Sequence, residues 1–407
     1  MGTNPGVDLS VEFCGVKFKN PFILASAPPT TTGGMIGRAF KAGWAGAVTK
    51  TLVEDASSII NVTPRLASLG FRDPEKRLKK NYALENIELV TDRELTIWLK
   101  EIEELRKKYP DHVVIASIMD DASKPEGWQS MAKKCEDAGA NLIELNLSCP
   151  HGMPERGMGS AIGQDVELSK RVTSWVAEAV NIPVIAKMTP NVTDIAVVAK
   201  ACMNAGAKGI SAINTVAAII GVDLETLVPM PNVSGYSAHG GLSGPAVKPI
   251  ALKAVASVAK ETGAPVSGIG GISTWKDAAE FILLGASTVQ LCTAVMFYGY
   301  SIIDELTSGL ATYMEKKGFH RISDMVGASL DKLVSFGELD NKTKRKASID
   351  NSLCIQCDAC FVSCRDAGYQ AITRGSDKIY KVTEKLCTGC SLCCQVCPVE
   401  GCITLKP

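Results

Sequence analysis

The stretch NLIELNLSC, residues 141–149, decides the fold. It is a short apolar run that ends in polar side chains, as expected of a parallel strand buried on both faces. Seven further runs have the same character. They lie at residues 21–27, 46–51, 113–119, 183–189, 209–215, 265–270 and 288–293. The sequence therefore predicts eight short buried strands.

Helical stretches separate most of these strands, at residues 91–109, 128–139, 165–179, 194–206, 246–262 and 275–285. Eight strands that alternate with helices over more than 250 residues predict an α/β fold, the (β/α)₈ TIM barrel. An open doubly wound sheet is the alternative. The run at residues 7–19 predicts a small hairpin that caps the barrel floor.

The chain divides into three parts on composition. Residues 1–335 form the predicted barrel, and residues 336–348 form a linker because ELDNKTKRKAS at 338–348 is polar and charged. Residues 349–407 hold ten of the 15 cysteines. This density at one end of a larger chain indicates metal binding rather than disulfides.

The cysteines near the end of the chain form two runs with the same spacing, C-x₂-C-x₂-C-x₃-C. These are Cys354, Cys357, Cys360 and Cys364, then Cys387, Cys390, Cys393 and Cys397. This spacing is typical of ferredoxins with two [4Fe–4S] clusters, in which the fourth cysteine of each run binds the other cluster. Zinc is the alternative, but it gives no reason for a third cysteine at the same interval.

We therefore predict a small α+β ferredoxin-like domain with crossed ligand sets. One cluster would be held by Cys354, Cys357, Cys360 and Cys397, and the other by Cys364, Cys387, Cys390 and Cys393. Arg365 follows Cys364 where proline is usual, which leaves the ligands intact. Cys394 and Cys402 fall outside the pattern and are predicted to be packing residues.

Charge and hydropathy exclude several classes of protein. The 407 residues contain 43 basic and 43 acidic side chains, so no basic surface for nucleic acid or an anionic membrane is expected. No apolar stretch of membrane-spanning length and no secretory signal is evident. We expect a cytoplasmic protein.

Polar or glycine residues mark the ends of the predicted strands, where TIM barrels place their active sites. They are Ser26, Lys50, Asn146, Ser148, Cys149, Lys187, Asn214, Thr215, Gly270, Gly271 and Thr293. Ser243–Gly244, Gly270–Gly271 and Thr293 are candidate phosphate contacts. No G-x-G-x-x-G occurs at a strand–helix junction, so a dinucleotide site is not expected in this chain.

Several motifs resemble one family. They are NPFILASAPPTTTG (20–33), AGAVTKT (45–51), NIEL (86–89), IELNLSCPHGMPERGMGSAIGQD (143–165), IAKMTPNVTDI (185–195), INTV (213–216) and SGIGGI (267–272). Together with the cysteine runs they resemble the dihydropyrimidine dehydrogenase family, in the form of its stand-alone bacterial iron–sulfur subunit (PreA type). The NLSCP motif is shared with class 1 dihydroorotate dehydrogenases and is less specific.

The resemblance implies FMN in the barrel, beside the two clusters. It places Lys187 at the N1/O2 edge of the flavin and Lys50 and Thr49 near its other polar edge. The FMN set is completed by the strand-end Ser26 and by a phosphate cradle of Ser243, Gly244, Gly270, Gly271 and Thr293.

The resemblance also implies a pyrimidine site of Asn86, Glu88, Asn146, Asn214 and Thr215. The alternative for Asn86 and Glu88 is that they merely begin a helix. Cys149 is the candidate acid, because a free thiol has a pKa of about 8.5 and is mostly protonated at neutral pH. The glycine-rich residues 150–163 would form a mobile lid.

The implied reaction is the interconversion of uracil or thymine and their 5,6-dihydro forms. Electrons would come from a separate FAD- and NAD(P)H-binding subunit (PreT type), in a hetero-oligomer. The alternatives are an oxidoreductase of dihydroorotate or another cyclic enamide or enone, and a non-catalytic electron-relay subunit. A substrate carboxylate would need a cation, and none occurs in NIEL or INTV. Residues 68–84 and 223–239 do not align cleanly with the family, and either segment could touch the substrate.

Overall fold

A computed structural model of the chain describes residues 6–73, 78–150, 152–376 and 378–407. It divides into two compact units, residues 1–332 and 333–407. No helix in these described ranges combines the length and apolar character needed to cross a membrane.

The strands are short and, in the barrel, almost entirely buried. They are β1 (Val11–Phe13), β2 (Val16–Phe18), β3 (Phe22–Leu24), β4 (Gly46–Val48), β5 (Leu66–Asp73), β6 (Leu78–Asn86), β7 (Val113–Ile118), β8 (Leu142–Asn146), β9 (Val184–Met188), β10 (Gly209–Ala212), β11 (Val216–Ala218), β12 (Val222–Asp223), β13 (Val228–Pro229), β14 (Gly240–Ser243), β15 (Val266–Ile269), β16 (Ala286–Leu291), β17 (Lys346–Ile349), β18 (Ile372–Arg374), β19 (Tyr380–Val382) and β20 (Ile403–Lys406).

The helices alternate with the barrel strands and continue into the second unit. They are α1 (Gly33–Ala42), α2 (Leu95–Lys108), α3 (Glu126–Asp137), α4 (Ser160–Gly163), α5 (Val166–Ala179), α6 (Ile195–Asn204), α7 (Lys248–Thr262), α8 (Trp275–Leu283), α9 (Thr293–Tyr298), α10 (Ile302–Lys317), α11 (Ile322–Met325), α12 (Ala359–Ala367) and α13 (Leu392–Val396).

Eight strands close into a parallel barrel in the order β3-β4-β7-β8-β9-β10-β15-β16, with β16 pairing back to β3. This confirms the predicted TIM barrel, and the alternative of an open sheet is wrong. All eight predicted strands are present, although most end two or three residues earlier than predicted. Most of the polar residues predicted at strand ends therefore stand on loops at the barrel mouth, whereas Asn146 and Lys187 lie within β8 and β9.

Local signals begin the helices as the sequence suggests. Asp165 caps α5 by accepting a hydrogen bond from Leu168 N, and Asp194 caps α6 in the same way through Ala196 N. The helix α1 was not predicted because it opens with two glycines, which disfavour helix in isolation. Burial of Ile36 and Phe40 against the barrel stabilises it instead.

An antiparallel sheet in the order β11-β14-β6-β5 lies on the loops of the barrel. Two of its strands come from the segment between β4 and β7, and two from the segment between β10 and β15. The predicted hairpin at residues 7–19 is present as β1 and β2. The four-stranded sheet, called the cover sheet below, supplies part of the site.

The second unit is small and contains two short antiparallel pairs, β17 with β20 and β18 with β19, and the helices α12 and α13. Its own core is built around Tyr380, Ile372 and Ile403. The unit begins at Leu333, and β17 includes residues 346–348, which the predicted linker contained. This strand was not predicted because the segment is polar, and within β17 only Ala347 is buried.

Candidate active site and cluster cavities

A cavity with about 1090 Å³ of empty space opens at the carboxyl ends of the barrel strands. Both polar and apolar side chains line it, as is usual for pockets that bind small molecules. The structure brings most of the predicted barrel residues to its wall. They are Ser26, Lys50, Asn86, Glu88, Asn146, Cys149, Lys187, Asn214, Thr215, Ser243, Gly244, Gly270, Gly271 and Thr293.

Thr49 is the one predicted FMN contact that does not line this cavity. Its hydroxyl accepts a hydrogen bond from Ser117 N in the barrel wall, and its side chain is fully buried. Thr51 lines the cavity instead. β4 ends at Val48, so the alternation of faces that holds within a strand no longer decides which threonine faces the mouth.

Thr51 and Ser148 join the predicted carboxamides into one hydrogen-bonded chain. Asn146 Nδ2 donates to Thr51 Oγ1 at 2.9 Å, while Asn146 Oδ1 accepts from Ser148 Oγ at 3.0 Å. Asn214 Nδ2 in turn donates to Ser148 Oγ at 2.8 Å. Each amide is thereby fixed in one orientation, so its donor and acceptor present a defined pattern to the cavity.

Glu88 stands between two cations. Lys50 Nζ lies 3.2 Å from Glu88 Oε2, and Arg65 Nε lies 3.3 Å from Glu88 Oε1. The alternative that Glu88 begins a helix is wrong, because it follows the end of β6 and the next helix starts at Leu95. Arg65 was not predicted as a neighbour of Glu88, because it lies outside the motifs NIEL and INTV.

Cys149 is buried and lines the cavity beside Pro150. The lid predicted at residues 150–163 contains the short helix α4 and a 3₁₀ turn at Pro154–Arg156, while His151 lies outside the described residues. A Cβ on Gly159, where φ is +58°, would approach Cys149 O to 2.8 Å. Glycine at that position therefore lets the segment fold back closely over Cys149.

Lys187 reaches the cavity from β9, with only 4% of the residue exposed. Its Nζ lies 3.6 Å from Oε1 of Glu144, a fully buried carboxylate on the neighbouring strand β8. Glu144 was not predicted as a site residue, because one acidic residue in an apolar run carries no signal of its own.

The predicted phosphate contacts converge at one end of the cavity. Thr293 Oγ1 donates to Ser243 Oγ at 2.8 Å, and Ser243 Oγ donates to Leu84 O on the cover sheet. At Gly271 φ is +78°, and a Cβ there would stand 2.8 Å from Lys248 N and 2.9 Å from Gly244 O. Only glycine allows these two loops to approach each other so closely.

Cys292 is a further thiol in the wall of the cavity. Burial raises the pKa of Cys292 to about 12, although Lys50 and Lys187 oppose the rise. The thiol is therefore neutral at physiological pH.

The two segments that align poorly with the family differ in their position relative to the cavity. Leu84, in the segment 68–84, lines the cavity, whereas none of residues 223–239 does.

These residues fit FMN. Two buried lysines suit the edges of a flavin that gains negative charge on reduction, and the glycine loops at Gly244 and Gly271 suit its phosphate. Apolar wall residues such as Ile213, Val247 and Ile269 suit the faces of a planar ring.

The second unit contains two cavities, each lined by one of the predicted ligand sets. The first is lined by Cys354, Cys357, Cys360 and Cys397, and the second by Cys364, Cys387, Cys390 and Cys393. Within the described ranges, no three His, Cys, Asp or Glu side chains are grouped closely enough to bind one metal ion. Each cavity is nevertheless lined by the four cysteines of one predicted ligand set, as two separate [4Fe–4S] clusters would require.

The loops around the two cavities repeat each other in backbone conformation. The second residue after the first cysteine is left-handed in both runs, at Gln356 and Gly389, as is the residue after the second cysteine, at Asp358 and Ser391. The backbone N–H of Gln356 donates a hydrogen bond to Cys354 Sγ at 3.4 Å, and the backbone N–H of Ala371 donates one to Cys364 Sγ at 3.3 Å. Such bonds stabilise thiolates.

Cys402 packs in the core of the second unit, as predicted. It lines the first cavity beside Cys354 and Cys397 as a fifth thiol. Cys394, by contrast, does not line the second cavity.

Comparison with known proteins was made for the whole chain. Residues 8–314 match the family model "Dihydroorotate dehydrogenase", and residues 347–405 match "4Fe-4S dicluster domain". The NAD-dependent dihydropyrimidine dehydrogenase subunit PreA of Escherichia coli is 42% identical over 98% of this chain and 95% of its own length. The chloroplastic dihydropyrimidine dehydrogenase (NADP(+)) of Arabidopsis thaliana is 44% identical over 83% of this chain and 80% of its own.

A third relative is the catalytic subunit of dihydroorotate dehydrogenase B (NAD(+)) from Pyrococcus abyssi. It is 40% identical over 79% of this chain and 99% of its own length. The relatives therefore include enzymes of two substrate classes.

Proposed function

The chain belongs to the dihydroorotate dehydrogenase family, and we propose that it is the catalytic FMN and iron–sulfur subunit of a dihydropyrimidine dehydrogenase. Its cofactors are FMN and iron–sulfur clusters. The observation that carries the proposal is the single cavity in which two buried lysines, the glycine loops, three carboxamides and Cys149 meet.

FMN would be held along the length of this cavity. Lys187 and Lys50 would contact the polar edges of the ring, and Ser243, Gly244, Gly271 and Thr293 would hold the phosphate. When bound, FMN supplies the two-electron exchange with the C5–C6 bond of the pyrimidine. The protein's part is to fix the ring and the substrate in reacting positions and to move one proton.

The pyrimidine would be recognised by carboxamides whose orientation is already fixed. A uracil ring presents alternating C=O acceptors and N–H donors, which Asn146 and Asn214 can match with one amide each. Both amides are held by Ser148 and so need no reorganisation when the substrate binds. Asn86 is held by Gly241 O of the cover sheet and completes the set.

Cys149 would exchange the proton at C5. In the reductive direction the thiol gives its proton to C5, and in the oxidative direction the thiolate removes it. Closure of residues 150–163 over the site would exclude water from this transfer. A positioned acid or base of this kind contributes roughly 10²- to 10⁴-fold in rate.

The two cavities of the second unit would hold the clusters, which exchange single electrons with a partner. The relative in Escherichia coli is named as a subunit and as NAD-dependent. We infer that this chain likewise receives electrons from a separate NAD(P)H-oxidising flavoprotein subunit in a hetero-oligomer, in the cytoplasm.

The test does not require that partner. The chain is reconstituted with FMN, iron and sulfide without oxygen, and 5,6-dihydrouracil is mixed with the oxidised protein. We expect bleaching of the visible flavin absorption. Cys149→Ala should retain FMN and iron but lose most of the bleaching rate, whereas Cys202→Ala, a buried cysteine of α6, should match the wild type.

Two outcomes would contradict the proposal. Rapid bleaching of Cys149→Ala would remove this residue from the mechanism. A wild-type chain that holds FMN but is bleached by no dihydropyrimidine or dihydroorotate would indicate a non-catalytic relay subunit.

Dihydroorotate is the second candidate substrate, because Arg65 supplies the cation that the motifs lacked. However, Arg65 and Lys50 both pair with Glu88, so their charges are already partly compensated. A substrate carboxylate next to Glu88 would be repelled, which favours a neutral pyrimidine. Faster bleaching by dihydroorotate than by dihydrouracil would reverse this choice.

A further inference from the structure

Glu144 is a carboxylate enclosed within the barrel, below the cavity. It lies on β8 two residues before Asn146, and no part of it is exposed. The barrel interior around it is polar, since Ser211, Ser267, Thr288 and Gln290 are also buried there. Barrel interiors are commonly filled by branched apolar side chains, so a buried charge at this level requires an explanation.

The carboxylate is held in one position by neutral donors. Glu144 Oε2 accepts hydrogen bonds from Ser211 Oγ at 2.9 Å and from Gln290 Nε2 at 3.2 Å. Gln290 Nε2 also lies 3.2 Å from Ser267 Oγ, whose hydroxyl accepts from Thr288. This network uses one oxygen of the carboxylate and fixes the direction of the other.

The other oxygen faces a cation. Glu144 Oε1 accepts no hydrogen bond from any described residue, and Lys187 Nζ lies 3.6 Å from it. Both side chains are almost completely shielded from water, so neither charge is screened by solvent. Lys187 also lines the cavity, and it therefore connects the buried carboxylate with the site of the flavin.

We infer that Glu144 is a positioning residue that holds the Lys187 ammonium at the cavity wall and offsets part of its positive charge there. The inference rests on the proposed function, since it needs FMN beside Lys187. Lys187 alone would favour the negative charge that the flavin gains on reduction, and Glu144 moderates that effect. The lysine and the glutamate together set how readily the flavin is reduced.

Sulfite measures this balance without turnover. It donates its lone pair to N5 of oxidised flavin, an S–N bond forms, and negative charge accumulates at the N1–C2 edge without any leaving group. Glu144→Gln keeps the shape of the side chain and removes the negative charge. We expect it to bind sulfite roughly tenfold more tightly than the wild type and to have a higher flavin midpoint potential.

Two further variants make the result specific. Glu144→Asp keeps the charge but moves it away from Lys187, so its sulfite affinity should change in the same direction by a smaller factor. Glu85→Gln replaces another fully buried glutamate, which lies on the cover sheet and has no ion pair with Lys187 among the described residues. Its sulfite affinity should equal that of the wild type.

The outcomes separate this inference from the proposed function. If Glu144→Gln binds FMN and its sulfite affinity and potential equal those of the wild type, Glu144 only packs and the inference is wrong. Weaker sulfite binding would reverse the sign and also overturn it, as would loss of FMN from both Glu144 variants. A reconstituted wild-type chain that binds no FMN would overturn the proposed function itself.

Discussion

Stability of the barrel unit should fall between pH 5 and pH 8 because of Glu85 in the cover sheet. Glu85 lies on β6 between Ala67 of β5 and Leu242 of β14, and it is fully buried. Neither carboxylate oxygen has a hydrogen-bond partner among the described residues. Burial in the sheet raises the pKa of Glu85 from 4.5 to about 7.

The sign follows from proton binding. Between these two pKa values the folded chain holds a proton on Glu85 that the unfolded chain has released, so the free energy of unfolding decreases as the pH rises. The decrease begins above pH 4.5 and is complete once the pH exceeds about 7. The rise in pKa corresponds to about 3 kcal/mol in total.

Guanidinium unfolding followed by tryptophan fluorescence tests this directly, because all five tryptophans lie in the barrel unit. The difference in free energy of unfolding between Glu85→Gln and the wild type should shift in favour of the variant by about 3 kcal/mol from pH 5 to pH 8. Glu225→Gln, at an exposed position, is the matched control and should show no such difference. A constant difference between Glu85→Gln and the wild type across this range would refute the reasoning.

Three other substitutions test the site and the cluster domain. In Gly271→Ala an alanine must adopt a left-handed backbone conformation, and its Cβ would lie too close to Lys248 N. The affinity for FMN, measured by fluorescence titration, should therefore fall at least about tenfold. An unchanged affinity would exclude this loop from the FMN site. Cys397→Ala should remove one of the two cluster signals from the electron paramagnetic resonance spectrum while FMN stays bound. Cys394→Ala is the control, because Cys394 lines neither cavity. Two intact cluster signals in Cys397→Ala would refute the predicted crossed ligand sets. Arg65→Gln removes one of the two cations that hold Glu88, a predicted pyrimidine contact. Because this ion pair is partly exposed, the KM for the pyrimidine should rise only about two- to fivefold with little change in kcat, and a change in kcat alone would show that Arg65 does not act through Glu88.

Much of the barrel was predictable because it depends on local signals. Each parallel strand is a short apolar run, and aspartates at 165 and 194 mark helix starts. The cover sheet was not predicted, and its central pairing, β6 with β14, joins residues more than 150 positions apart. Strand pairing over that distance leaves no periodic pattern in either segment.

Site residues could be predicted where a motif places them at the end of a strand. They were harder to predict where the direction of the side chain decides whether a residue faces the cavity. Thr49 and Thr51 flank Lys50, and only the path of the chain after β4 shows which one faces the cavity. The pairing of Lys187 with Glu144 depends on the register between β8 and β9. Cys402 has no place in the cysteine spacing, and only the folded domain brings it beside the first cavity.

The crossed arrangement of the thiols has a consequence for how the second unit acquires iron. Of the eight cysteines in the two runs, each cavity takes three from one run and a fourth from the other. Occupation of either cavity therefore closes a loop between the two runs and brings the remaining thiols of the other cavity together. The first cluster to bind bears the loss of chain entropy that closing this loop costs, and the second cluster does not bear it again. Incorporation of iron should consequently be positively cooperative, with few molecules that carry a single cluster at intermediate loading.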